Sequence, residues 1–177
     1  KGFAGRADGK IIMTTDGGGT WQRATTPALG GAVKKFVQRS ESEFVAICAN
    51  GMIIESPDGG ATWNQIASNF HKTIVSASFA GRDSIFVCSS DSLYLTDPTW
   101  QQFTPVNTGF SGGYFSDVTF YDRVNGSVIY EHGYFESKSL VTSDGGKTWT
   151  TTGYSRQMFS LDPTTLGLYY YIASEFS

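Results

Sequence analysis

At 177 residues, 40% hydrophobic and 15% aromatic, the chain is long enough to bury a sizeable core. Only 16% of residues are charged and the net charge is −3, which gives no electrostatic ground for a nucleic acid or an anionic membrane as partner. No apolar run approaches the length of a membrane-spanning helix. The first residue is Lys1, so the start reads as processed or trimmed and the absence of a leader peptide carries no meaning.

Taken in order, residues 1–27 read as part of a unit. Gly2-Phe3-Ala4-Gly5 ends one strand, Ala7-Asp8-Gly9 turns, and strands follow over 10–14 and 21–25. Residues 33–67 form a complete unit with strands at 33–37, 43–49, 52–56 and 63–66. Asn50-Gly51 is its strongest hairpin signal. Residues 73–106 repeat the plan with strands at 74–79, 84–88, 92–96 and 100–106. In residues 107–153 a loop over 107–115 leads to strands at 117–121, 126–131, 138–142 and 149–152. The second hairpin there is enlarged by His132-Gly133-Tyr134-Phe135-Glu136. Residues 156–177 begin a further unit, with strands at 157–161 and 166–173. No stretch has a useful helical period, so the chain reads as all-β.

One motif recurs in these units. Thr14-Thr15-Asp16-Gly17-Gly18-Gly19-Thr20-Trp21 is followed by Ser56-Pro57-Asp58-Gly59-Gly60-Ala61-Thr62-Trp63 and by Thr142-Ser143-Asp144-Gly145-Gly146-Lys147-Thr148-Trp149. Asp16 and Asp58 stand 42 residues apart, and Asp58 and Asp144 86 apart, or two steps of 43. Thr96-Asp97-Pro98-Thr99-Trp100 reads as a shortened copy near the midpoint, one that has lost its Gly pair. A period near 42 marks a repeat architecture. Asp can accept from the backbone NH groups of the turn it opens. The Gly pair supplies positive φ, and Trp buries a large ring beneath the turn. Trp21, Trp63 and Trp149 are therefore expected to be buried braces.

The motif resembles the Asp-box, or BNR repeat, of sialidases, xyloglucanases, sortilin-type receptors and photosystem II assembly factors. The Asp-Gly-Gly-x-Thr-Trp form looks most like the assembly factors. The resemblance implies a β-propeller of four-stranded antiparallel blades. In those families the box braces a blade and does no chemistry, so Asp16, Gly18, Thr20, Trp21, Asp58, Gly60, Thr62, Trp63, Asp97, Trp100, Asp144, Gly146, Thr148 and Trp149 are expected to be structural. The families have more blades than this chain supplies. The expectation is a segment of a longer propeller, with a closed four-bladed ring or an assembly with other chains as the alternative.

If strands alternate along each blade, the Asp-box hairpins share one end with the first turn of each blade. The other end then carries His71, Lys72, Asp91, Tyr114, His132, Tyr134 and Arg156. Loops on a rigid scaffold concentrate recognition, which makes His71, Lys72, Tyr114, His132, Tyr134 and Arg156 the candidate ligand face. Phe36-x-x-Arg39, Phe79-x-x-Arg82 and Phe120-x-x-Arg123 recur at steps of 43 and 41. Those arginines either bracket neighbouring turns, pairing with acids such as Glu41, Asp83 or Asp122, or form a ring for an acidic ligand. Cys48 and Cys88, 40 residues apart, are expected at equivalent buried positions of neighbouring blades, unbridged and without metal.

No catalytic set is legible. The Phe-Arg-Ile-Pro motif of sialidases is missing from the sequence. Asp91, Glu131 and Glu136 are the only acids to nominate for a glycosidase cleft, whose inverting pair stands roughly 6.5–9.5 Å apart. Neither a nucleophile elbow nor a metal-ligand spacing is present, and nothing requires a cofactor. The reading is a non-catalytic scaffold for a protein or glycan, outside the cytoplasm in a secreted or periplasmic setting. A fragment of an Asp-box glycoside hydrolase is the alternative.

Overall fold

The computed structural model describes residues 1–6, 8–132 and 136–155. Every element among them is a strand. Gly2–Gly5 (β1), Ile11–Thr14 (β2) and Gln22–Arg23 (β3) form a three-stranded antiparallel sheet. Val33–Gln38 (β4), Phe44–Cys48 (β5), Ile53–Ser56 (β6) and Asn64–Ile66 (β7) form a four-stranded one. Ser76–Phe79 (β8), Ile85–Cys88 (β9), Leu93–Thr96 (β10) and Thr104–Val106 (β11) form the next. Tyr114–Phe120 (β12), Gly126–His132 (β13), Glu136–Thr142 (β14) and Thr150–Ser155 (β15) complete the set. In each sheet spatial order follows chain order, so all connections within a sheet are hairpins.

Burial follows position in the sheet. Every residue of β5, β8 and β9 is buried, and these strands are runs of small or apolar residues. The outer strands β7 and β11 are largely exposed. Pro105, which has no NH to donate, sits on β11, an edge strand.

The chain divides into two compact units, residues 1–73 with 99–101 and residues 74–98 with 102 onward. In the first, the sheets β1–β3 and β4–β7 enclose Ile11, Ala24, Leu29, Phe44, Ala46, Cys48, Ile54 and Trp63. Backbone bonds lock them together, with Thr25 N donating to Ala61 O and Trp63 N to Thr25 O, each at 2.8 Å. In the second, β8–β11 and β12–β15 enclose Phe86, Cys88, Leu93, Phe115, Val118, Phe120, Val128, Tyr130 and Leu140. There Ser76 Oγ donates to Asp117 Oδ1 at 2.5 Å and Phe120 N to Ser78 Oγ at 2.9 Å. Both hydroxyls satisfy polar groups that burial would otherwise leave unpaired.

The ladders revise three expectations. In the full hairpins, the residue three before the Asp pairs with the one six after it: Met13 with Gln22, Glu55 with Asn64, Val141 with Thr150. On β10 and β11 the same rung is Leu95 with Thr104. The third hairpin is therefore full length, not shortened. Pro98 stands at the Asp position, Trp100 at that of the second Gly, and Phe103 at that of the Trp. Backbone angles agree: Gly18, Gly60 and Gly146 have φ of 99°, 92° and 82°, and Trp100 has φ of 57°. Asp97 and Trp100 are thus not the Asp and Trp of a box.

The other two revisions are shifts of register. Phe79 and Phe120 pair opposite Ile85 and Gly126 at equivalent rungs, whereas Phe36 pairs with Ala46, one two-residue step away. Cys88 lies opposite Leu93, the rung of Ile47 with Ile53, so Cys48 is one residue out of phase and faces the other side of its sheet. Both cysteines are buried, as expected, and burial pushes the Cys48 thiol up.

Strand ends differ as well. The outer strand of the first sheet is only Gln22–Arg23, and β12 begins at Tyr114, so Tyr114 and Phe115 belong to a strand. The second hairpin of the last sheet is extended by its strands, since β13 and β14 run seven residues each. The segment expected to begin a further unit, over 156–177, lies outside the described residues.

Candidate functional site

The recurring hairpins are built around a saturated carboxylate. Thr14 Oγ1 donates to Asp16 Oδ1 at 2.7 Å and accepts from Gly18 N at 2.9 Å. Asp16 also accepts from Thr20 N at 2.9 Å and Thr20 Oγ1 at 2.7 Å. Asp58 repeats this with Ser56, Gly60 and Thr62, and Asp144 with Thr142, Gly146 and Thr148. The Thr62 hydroxyl and NH hold Asp58 down at about 2. Asp16, chiefly through Thr20 NH, and Asp144, chiefly through the Thr148 hydroxyl, lie well below the usual carboxylate range. A carboxylate so engaged is a poor base and a poor metal ligand, and its work is to fix the turn. The turn then grips its own sheet, with Gly59 N donating to Ser42 O and Gly145 N to Val124 O.

Each indole seals a hairpin only where a neighbour covers it. Trp63 is 3% exposed, and its Nε1 donates to Gly60 O at 3.0 Å. Phe3 of β1 packs edge-on against it at 5.9 Å, and Phe36 lies at 5.8 Å. Trp149 is half-buried, bonded to Gly146 O at 3.1 Å, with Phe86 and Phe120 edge-on at 6.5 and 6.2 Å. Trp21, expected to be buried, is 46% exposed. A side chain equivalent to Phe3 or Phe86 does not reach it among the described residues.

The opposite end of the sheets carries the proposed ligand face. In the first unit, His71 and Lys72 are exposed on the connection after β7. That connection is held by Asn69 N to Trp100 O at 3.2 Å and Gln101 Nε2 to Ala67 O at 2.7 Å. In the second unit, Tyr114 opens β12 opposite Glu131 and is 51% exposed, and exposed His132 ends β13 opposite Glu136. Tyr134 and Arg156 lie outside the described residues.

What the sequence reading missed is the anchor beneath Tyr114. Tyr130 Oη donates to Ser111 O at 2.6 Å, and its ring lies 5.5 Å from Phe110 and 5.3 Å from Phe115. Lys138 Nζ stands 5.9 Å over the Phe110 ring. Phe115 N donates to Ser90 O at 3.0 Å. The Gly-rich run 109–113 masks this as a loose loop in sequence. The aromatic residues on either side were the available signal.

Of the repeated arginines, Arg39 lies 4.0 Å from Glu43 and Arg123 3.6 Å from Asp83, both on first turns at the hairpin end. Asp122 instead closes its own turn, accepting from Val124 N, Asn125 N and Asn125 Nδ2. Asp91 accepts from Ser89 Oγ at 2.7 Å. Among the described residues no His, Cys, Asp and Glu cluster has a metal-holding arrangement. An open recess beside the last hairpin is lined by Asn125, Val141, Thr142, Ser143, Thr148 and Thr150, without a titratable group.

Repeated four-stranded antiparallel sheets, each closed by an equivalent hairpin, define the chain as a β-propeller, and solved structures agree. It is similar to YCF48 from Cyanidioschyzon merolae at 20% identity and TM-score 0.63, over 84% of this chain and 55% of that one. It is similar to YCF48 bound to D1 peptide at 18% identity and TM-score 0.61, over 85% and 50%. A GH74 enzyme of Niastella koreensis matches at 17% identity and TM-score 0.61, over 84% and 27%. The chain thus spans about half the length of the two YCF48 chains it matches. No family model matches the sequence, and no curated protein does.

Proposed function

We propose that this chain is part of a non-catalytic propeller that binds a protein segment at the end opposite the aspartate hairpins. The observation that carries the reading is Tyr114, half-exposed on a strand whose approach is pinned by Tyr130, Phe110 and Phe115. A large exposed ring on a backbone already held in place has less freedom to lose on binding than one on a loose loop, which suits a binding hot spot. One similar structure, YCF48, was solved bound to D1 peptide, which supports a peptide ligand. The likeness to a GH74 enzyme supports a second reading, in which Glu131 or Asp91 serves glycan chemistry.

Titrating labelled D1 peptide and a xyloglucan oligosaccharide separately against the protein distinguishes them. We expect saturable peptide binding, weakened on the order of tenfold by Tyr114→Ala, equivalent to about 1.4 kcal/mol. Glycan binding without peptide binding, or turnover of xyloglucan, would contradict the proposal.

A further inference from the structure

The interface between the two sheets of each unit repeats one contact. On the strand that pairs ahead of the hairpin's first strand, the residue opposite the position three before the hairpin Asp acts as a plug. These residues are Phe3 opposite Met13 and Phe86 opposite Leu95. The socket of each is the second Gly of the hairpin in the neighbouring sheet of its unit, Gly60 and Gly146. Phe3 presses on Gly60, where a Cβ would collide with its ring. A Cβ at Gly146 would meet the Phe86 ring at 2.8 Å.

The first hairpin has a Gly socket that no other side chain fills among the described residues. Around Gly18 the nearest atoms to a Cβ are those of Trp21, at 3.9 Å, and Trp21 is 46% exposed. The two filled sockets specify what would fill this one, an aromatic ring. We propose that Gly18 and Trp21 form a docking socket for a further propeller blade, one that presents an aromatic side chain at the register of Phe3 and Phe86. Continuity with the two filled sockets supports this occupant. So does the extent of the similar YCF48 chains, of which this chain spans 55% and 50%.

The test uses protein labelled with 5-fluorotryptophan, in which the H2O-to-D2O shift of each fluorine signal reads its exposure. Trp21→Phe and Trp63→Phe assign the two signals. A copy of residues 74–125 is joined ahead of Gly2, which stands at the rung of Gly126 because both pair with the hairpin Thr. The copy supplies Phe86 as plug and β12 as a strand to pair with β1. We expect the Trp21 signal to be solvent-sensitive in the 177-residue chain and to fall to the Trp63 value in the fusion. Phe86→Ser in the appended copy should return it to the exposed value. A folded fusion in which Trp21 stays exposed would overturn the proposal. So would a Trp21 signal already shielded in the unfused chain in a concentration-dependent way, because the occupant would then be a second copy. A fusion that fails to fold leaves the decision to Phe3→Ser in the chain itself. That change should raise the Trp63 solvent response to the Trp21 level, and an unchanged Trp63 would remove the plug from the account.

Discussion

At the scale of single residues, the hairpin aspartates tie stability to pH. Asp58 titrates at about 2 in the folded chain, against roughly 3.9 when unfolded. A depressed folded value means that its contribution is complete above the unfolded value and is lost as pH falls toward the folded one. Asp16 and Asp144 shift in the same direction through the same kind of bonds. The urea midpoint should therefore be flat with respect to these groups above about pH 5 and fall between about pH 4 and 2. Asp58→Asn should lower the neutral-pH midpoint and remove part of the acid fall. An Asn variant with the wild-type acid slope would show that the carboxylate bonds do not report on folding.

At the scale of the element, the third hairpin is the informative exception. Its Thr96 hydroxyl has no carboxylate in the Asp position and reaches only Asp97 O, at 3.4 Å. Pro98→Asp with Gln102→Thr restores the donors and acceptor that the other three hairpins share. We expect a gain of about 1 kcal/mol, the net worth of added hydrogen bonds, read as a raised urea midpoint. Loss of stability would mean that the Pro98 turn is preferred by its surroundings.

The third hairpin also shows where sequence reading stops. Three hairpins were legible because their bonds are local: one Asp, two Gly and a Ser or Thr on either side settle the turn whatever surrounds it. The third keeps the backbone path but only Thr96 of the letters in place. Asp97 and Trp100, each matching the motif by type, fall one and three residues before the positions they imitate, as the Leu95–Thr104 rung reveals. Only strand pairing carries that information. Cys48 and Cys88 fail similarly, since a spacing near the repeat is not a shared rung.

At the scale of the molecule, the all-β repeat was readable, whereas burial at the sheet interfaces was not, because it depends on the neighbour. Trp21 and Trp63 have the same motif context, yet one is 46% and the other 3% exposed. The ligand face was legible only as a set of loops. Tyr114 proves to be a strand residue, and the Tyr130 anchor beneath it depends on packing between residues 19 apart.

Comparing Trp63→Ala with Trp21→Ala by urea unfolding weighs the coverage of these hairpins most directly. We expect Trp63→Ala to cost about 3–5 kcal/mol, as for a buried aromatic side chain, and Trp21→Ala less than about 1 kcal/mol, as for an exposed one. Equal losses at the two positions would contradict the account, because the indole would then act through its own turn and not through the sheet that covers it.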